Sequence, residues 1–469
     1  MSAKPREPPA SAGGCGPMLH LEIVCGAIVS MMDETRVCRE TRQPGFGRWL
    51  WGIMVLAVVA RIAILIFAEH KPDRFDFDDS YRYVLVAENI AAGNGPIESD
   101  DVRSGTDPLY PGILAVGVLC GCDDVRSVMR FGRVVNAMLG VVSVALLALF
   151  ARRVVGDCAA LTAGAILAVD PILLFFNALV LTETCYIALL LCAFYAVIRL
   201  GGRRCLLWAL AAGLLMGLAT ITRSSNLFLT IFMVPFVWHF SKHGDPSPTL
   251  GEGGTTTCMH REGRASRRLN RCLVTACFLL AAAVVLVPTV TRNYRLFGHF
   301  VPVRIGSGAS LLEALGPWAD GSPGMERIEY PDYPSDADEY VRDQLCRATA
   351  IDWTRHHWGD AFTLACAKLR RTWSISINAA DYTSWVYVLM AWLTVAPVFI
   401  LAVGGIWVLR RQPWLIGLLL IVAVYFSLVH VVFVGSVRYR VPALPFLFVL
   451  AGVAVDYLWR GWIGRNAAR

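Results

Sequence analysis

The residue types best able to do chemistry gather in one short stretch. It reads Asp76-Phe77-Asp78-Asp79-Ser80-Tyr81-Arg82-Tyr83, followed by Ala87-Glu88-Asn89 and Gly93-Asn94-Gly95. Adjacent carboxylates suit two tasks: taking a proton from a hydroxyl as a general base, or holding a divalent cation. A solvated acidic turn is the third reading of the same residues. A second set is basic. Arg223, Arg292, Arg438 and Arg440 stand at or near the ends of apolar segments, and Arg61 lies inside one. A guanidinium keeps its charge in a low-dielectric site and forms bidentate pairs with phosphate, although snorkelling to lipid headgroups also accounts for an arginine at such a depth. Glu183, in Val180-Leu181-Thr182-Glu183, opens a further apolar segment, either as a helix-capping carboxylate or as a group facing a ligand. Asp170-Pro171 reads as a helix break.

The elements that must position these residues are membrane spans. Of the 469 residues 56% are hydrophobic and 17% charged, and the mean hydropathy is +0.54. Soluble domains carry roughly 45–50% apolar and about 25% charged residues, so a water-soluble globule and a disordered chain are both excluded. A span needs about 20 apolar residues. Segments of that kind fall at 49–68, 132–151, 158–177, 180–199, 205–222, 226–241, 272–290, 385–409, 413–434 and 441–459. The expected fold is therefore an all-α integral membrane bundle of about ten transmembrane helices. Leu109–Gly121 is too short to cross and is expected as a re-entrant or juxtamembrane piece. Residues 291–384 are aromatic and amphipathic. Their helical rhythm from Asp338 to Ser374 predicts interfacial helices that cover the bundle.

Lys and Arg set the orientation. Arg152-Arg153, Arg203-Arg204, the run Arg261 to Arg271, Arg410-Arg411 and Arg460, Arg465 and Arg469 all fall on one side if the N-terminus is inside. That leaves 69–131, 178–179, 223–225, 291–384 and 435–440 outside, the side that holds the acids and the candidate arginines. Residues 1–48 are expected as a disordered cytoplasmic tail, 49–460 as one membrane domain (outer loop 69–131, cytoplasmic loop 242–271, outer segment 291–384), and 461–469 as a second cytoplasmic tail. The net charge of +7 is spread over segment ends and no nucleic-acid-binding motif is present, so no nucleic-acid partner is expected. No GxxxxGK[ST] or GxGxxG occurs, which argues against nucleotide use. The 14 cysteines are scattered, many within apolar runs, and no structural metal site or disulfide framework emerges. No Asn-x-Ser/Thr sequon is present, which leans toward a bacterial inner membrane.

Acids from one outer loop and arginines from several span ends suit a site that clamps a lipid phosphate while a carboxylate activates an acceptor hydroxyl. A sugar carried on a polyprenyl phosphate fits, because its tail lies between spans and it needs no nucleotide. A lipid flippase or small-molecule transporter is the rival reading, but such proteins place unusual charges near mid-membrane and often carry internal repeats. Here the charges gather at one face. A non-catalytic scaffold would leave the acids dispensable.

The motifs also resemble those of the GT-C superfamily of polytopic glycosyltransferases, in the branch of protein O-mannosyltransferases and lipid A aminoarabinose transferases. The resemblance covers most of 49–460. It rests on Asp79-x-x-x-Tyr83-x-x-x-Ala87-x-Asn89-x-x-x-Gly93-x-Gly95, Gly105-Thr106-Asp107-Pro108-Leu109-Tyr110-Pro111, Leu181-Thr182-Glu183, Gly217-Leu218-Ala219-Thr220-Ile221-Thr222-Arg223, Val287-Pro288 with Arg292-Asn293-Tyr294 and Gly298, and Arg438-Tyr439-Arg440-Val441-Pro442 with Pro445. The sequence departs from the family at His356-His357-Trp358, where relatives carry a proline. The resemblance implies a GT-C bundle that moves a monosaccharide from a polyprenyl-phosphate donor to a lipid, glycan or protein acceptor on the periplasmic or luminal side. It implies Asp79, or Asp78, as the base. Arg223, Arg292, Arg438 and Arg440 are then expected at the donor phosphate, and Glu183 with Tyr83 at the sugar or acceptor. No metal or other cofactor is expected, with a divalent cation at Asp78 and Asp79 left open.

Overall fold

The computed structural model describes residues 45–202, 204–241, 264–376 and 384–467. Residues 1–44 of the expected tail, 242–263 of the expected cytoplasmic loop and 468–469 lie outside the described residues. The described chain is all helical. In order it forms α1 (Phe46–His70), α2 (Asp78–Ala91), α3 (Leu109–Leu119), α4 (Val125–Val155), α5 (Asp157–Val169), α6 (Pro171–Ala178), α7 (Glu183–Val197), α8 (Cys205–Thr222), α9 (Leu227–Phe232) and α10 (Val234–Phe240). There follow α11 (Arg264–Phe297), α12 (Ser307–Ala314), α13 (Glu339–His356), α14 (Trp358–Thr372), α15 (Trp385–Val408), α16 (Pro413–Val432) and α17 (Leu444–Ala467).

Seven helical segments, Phe46–His70, Val125–Val155, Cys205–Thr222, Arg268–Phe297, Trp385–Val408, Pro413–Val432 and Val437–Ile463, are long and apolar enough to cross a membrane. The other three expected spans are short or broken. Asp170 and Pro171 divide 158–177 into α5 and α6, bent by 50°, with Asp170 capping α6 through Leu173 N at 2.9 Å. The segment 180–199 holds only the 15-residue α7, whose residues are almost all buried. It reaches about 22 Å at 1.5 Å per residue, against about 30 Å of hydrocarbon. Pro235, in the first turn of α10, leaves 226–241 as two short helices. α1 packs on α4 and α5 along one side, while Val55, Val59, Ile62 and Ile66 on its other sides stay exposed. Such apolar surface is stable only against lipid, and the protein is a multi-pass membrane protein.

Close packing in the interior relies on small residues. Gly213 and Gly217 lie one turn apart on α8 against α11. A Cβ built on Gly213 would stand 2.2 Å from the Phe278 carbonyl oxygen, and one on Gly217 would stand 2.7 Å from that of Ala282. Backbones meet this closely in membranes only across small-xxx-small faces. The same α8 ends at Thr222, so this contact fixes where Arg223 leaves the bundle. α13 and α14 are separated at His357, whose backbone turns out of the helix (φ −127°, ψ 44°) and whose ring stacks on Trp353. The two helices thus part at His357 without a proline between them.

Gly213→Val is expected to destabilise the fold by about 1–3 kcal/mol through overpacking. Thermal unfolding of the detergent-solubilised variant should show a midpoint several degrees lower, and an unchanged midpoint would mean that α8 and α11 separate freely.

Candidate active site

The site is built from four segments far apart in sequence. α2 begins at Asp78, so both acids sit in its first turn, where the helix dipole favours anions. Successive residues on a helix point about 100° apart, and this separates the pair. Asp78 is exposed and makes no hydrogen bond or ion pair among the described residues, whereas Asp79 is half-buried. Asp79 accepts from Arg438 Nη1 at 2.7 Å and from Arg82 one turn later on the same helix.

Glu183 opens α7 and is fully buried. Its Oε1 accepts from Arg223 Nη1 at 2.8 Å and from Arg438 Nε, while its Oε2 has no partner. Arg223 follows the last residue of α8 in extended backbone, with its guanidinium 5.9 Å from the centre of the Tyr186 ring. Arg438 lies in a 3-10 turn, Val437–Ala443. That turn is braced from below, where Tyr439 stacks on His430 at 3.8 Å and Lys368 of α14 donates to the Val432 carbonyl at 2.9 Å. Arg438 thus bridges two acids that arrive on different helices.

Burial by itself raises the Asp79 carboxyl, but the charges and hydrogen bonds of Arg438 and Arg82 outweigh it and hold the group below the ordinary carboxylate value. Tyr83, one turn beyond Asp79, feels the charges of Arg438, Asp79, Glu183 and Arg223 and packs edge-on against Tyr110, with centroids 5.6 Å apart.

The structure separates Arg292 and Arg440 from this group. α11 continues past Arg292 to Phe297, so the side chain faces the 96–106 loop instead of a free span end. It donates to the Arg103 carbonyl at 2.6 Å, the Pro96 carbonyl at 3.4 Å and Asn293 Oδ1 at 3.2 Å. It borders a cavity of about 200 Å³ that Ser104, Thr106, Pro288 and Thr289 also line. Arg440 is buried and donates to the carbonyls of Thr372 and Ser374. At roughly 120° per residue a 3-10 turn points residues two apart in different directions, and only Arg438 faces the acids. Arg61 is also buried, donating to the carbonyls of Ala57 and Ala168 at 3.1 Å each, so it reaches no headgroup.

Two neighbours carried no assigned role in the sequence reading. Asp107 accepts from Ser224 N at 3.1 Å and lies 3.7 Å from Arg304 Nε. Burial raises its carboxyl above the ordinary value, with Arg304 and Ser224 opposing. Arg304 also donates to Ser224 Oγ at 3.1 Å and to the Gly105 carbonyl at 2.9 Å. An arginine in the expected outer segment was the available signal. Among the described residues no cluster of three His, Cys, Asp or Glu side chains suits a metal ion.

With this geometry in place, comparison with known proteins is informative. Residues 125–247 match the family of dolichyl-phosphate-mannose-protein mannosyltransferases. No curated protein matches the chain. Among solved structures, the oligosaccharyltransferase AglB of the archaeon Archaeoglobus fulgidus, in complex with an inhibitory peptide and a dolichol-phosphate, aligns with a TM-score of 0.53 and 13% identity over 91% of this chain and 52% of that one. A structure of the A. fulgidus oligosaccharyltransferase tethered to an acceptor peptide gives the same figures. The chain spans about half the length of these proteins. ArnT from Cupriavidus metallidurans, bound to undecaprenyl phosphate, aligns at a TM-score of 0.38 and 16% identity over 88% of this chain and 78% of that one, too slight a likeness to build on. The fold is shared with these oligosaccharyltransferase structures over nine tenths of this chain, and the family matched at residues 125–247 lies in the branch that the sequence motifs resemble.

The sign of the Asp79 shift gives a stability test. Its folded value lies below the unfolded one, so its ion pairs stabilise fully above the ordinary range near pH 4. That contribution is lost as pH falls through the folded value. The difference in unfolding temperature between wild type and Asp79→Asn should stay constant from pH 8 to about 5 and shrink below about pH 4. A difference that grows on acidification would contradict the pairing with Arg438.

Proposed function

We propose that this chain is an integral-membrane glycosyltransferase. It moves a monosaccharide from a polyprenyl-phosphate donor to an acceptor hydroxyl on a lipid, glycan or protein. The observation that carries the reading is the single arginine, Arg438, held between Asp79 and the fully buried Glu183 with Arg223 beside it.

Glu183 orients both guanidinium groups with one oxygen, and the remaining N–H donors of Arg223 and Arg438 receive the donor phosphate. Asp79 is the base. At rest its tie to Arg438 keeps it ionised but weakly basic. When a lipid phosphate draws Arg438 toward itself, Asp79 loses part of that stabilisation and its basicity rises. The acceptor oxygen then bonds to the anomeric carbon, the bond from that carbon to the phosphate oxygen breaks, and the hydroxyl proton passes to Asp79. Direct displacement inverts the anomeric centre. The charge that develops on the leaving lipid phosphate meets fixed positive groups, often the largest single catalytic term. Tyr83 lines the sugar or acceptor side. The chemistry needs no divalent cation, because two guanidinium groups already occupy the Asp79 carboxylate.

We place the catalytic unit at 49–460, with 1–48 and 461–469 on the cytoplasmic side, the latter continuing α17 as far as Ala467 rather than forming a separate tail, in a bacterial inner membrane with the site on the periplasmic face. The basic residues at the opposite ends of the spans support this orientation.

The test is release of polyprenyl phosphate from polyprenyl-phosphate mannose, glucose or aminoarabinose by membranes containing the protein, together with mass spectrometry of co-purifying lipids. Asp79→Asn should lower turnover at least a hundredfold while Asp78→Asn keeps most of it. The Arg223→Ala/Arg438→Ala variant should lose the bound carrier. Wild-type turnover in both single variants would exclude the mechanism. Activity should also persist in excess EDTA, and its loss would assign a metal to the acids.

A further inference from the structure

Asp79 and Glu183 reach the site in the first turns of separate helices, and the segments that lead into both helices are held by one face of α4. Arg133 is only 7% exposed as a side chain, and each nitrogen of its guanidinium has a partner. Its Nη2 donates to Asp76 Oδ1 at 2.6 Å. Its Nη1 donates to Glu69 Oε1, at the end of α1, at 3.3 Å. Its Nε donates to the Ala178 carbonyl at 3.1 Å. Asn136, three residues on and therefore on the same face, is fully buried. Its amide donates to the Leu179 carbonyl at 2.7 Å and to the Tyr110 hydroxyl at 3.0 Å, and Tyr110 packs on Tyr83. Gly132 completes the face, because a Cβ there would stand 2.7 Å from Leu114 Cδ2 and 3.2 Å from Val180 Cγ1.

These contacts fall at mechanically decisive points. Asp76 closes the turn that hands the chain to α2, two residues before the helix that presents Asp79. Ala178 and Leu179 are the end of α6, whose last carbonyls have no helical partner, and Glu183 begins the next helix. One guanidinium and one amide on a rigid helix therefore tie the base-bearing turn to the loop that delivers the buried acid. We infer that Arg133 and Asn136 are positioning residues that fix the separation of Asp79 and Glu183, and so keep both within reach of Arg438. The inference rests on the proposed glycosyl transfer for its kinetic consequence, but not for its mechanical one.

Lysine offers a point charge where three directions must be served at once, so Arg133→Lys should rescue only part of what Arg133→Met loses. A misplacement of about 1 Å costs about a hundredfold in rate. Arg133→Met should therefore lower kcat ten- to a hundredfold with the donor KM changed less than threefold. Its acid limb in the pH–rate profile should move to higher pH, as Asp79 slips from Arg438. Asp76→Asn should give a similar loss, and the double variant no further loss. Hydrogen exchange should quicken in 75–82 and 178–186 together in either single variant, with the rest of the bundle unchanged. Should Arg133→Met fail to fold, Asp76→Asn and Asn136→Leu carry the same tests.

Folded variants with wild-type kcat, additive losses for Asp76→Asn and Arg133→Met, or exchange that quickens in one loop alone would overturn the inference. Asp79→Asn separates the two ideas. If it is inactive while Arg133→Met behaves as wild type, positioning fails and the transferase reading stands. If Asp79→Asn and Asp78→Asn are both fully active, the reading fails, and the exchange experiment still decides whether α4 couples the loops.

Discussion

The charge of Arg438 shared between Asp79 and Glu183 is the interaction around which the site is arranged. Glu183 has no exposed surface, and an unpaired charge in that position carries a penalty of several kcal/mol. Arg223 and Arg438 cancel it with two charge-assisted hydrogen bonds. The arrangement then recruits the rest of the fold: α7 must start at depth, α8 must end at Arg223, the turn after α16 must hold Arg438, and α2 must bring Asp79. Two carboxylates, Asp79 and Glu183, meet three guanidinium groups, those of Arg82, Arg223 and Arg438, so the site carries one excess positive charge.

The membrane imposes the second constraint. Apolar spans cost nothing to leave facing lipid, so the bundle can keep α1 largely exposed while burying α7 and α17. Polar side chains have no such freedom. Arg61, Arg133, Asn136 and Arg440 each find carbonyls or carboxylates inside the bundle. Their targets are often the ends of broken helices, where carbonyls lack partners. The short and bent segments around Asp170, Leu179 and Arg223 are thus where the backbone becomes available to be held, and where the site is held.

Much of this architecture is legible in the residues. Composition requires spans, arginine pairs at one set of span ends give an orientation, and Asp170-Pro171 marks a real bend. The acids at 78–79, Glu183, Arg223 and Arg438 stand out as charges where charge is unfavourable, and the structure brings Asp79, Glu183, Arg223 and Arg438 into contact. The same signal could not tell Arg438 from Arg440, or Arg223 from Arg292. Direction depends on local helix geometry, and a span end read by hydropathy does not reveal that α11 runs on to Phe297. Arg133 lies inside an expected span and carried the same warning, yet its partners sit at residues 69, 76 and 178, and no local pattern links them.

The sequence by itself determined that the chain lives in a membrane, which charged residues stand at the ends of its apolar segments, and which motifs resemble a glycosyltransferase class. Those properties follow from transfer free energy and residue type, which are additive along the chain. Only the tertiary structure decided that Asp79 and not Asp78 meets an arginine, that Arg438 serves two acids, and that Arg292 and Arg440 brace backbone carbonyls instead. Those are matters of direction and depth, set when helices of different length and bend pack against one another. Hydropathy is blind to both.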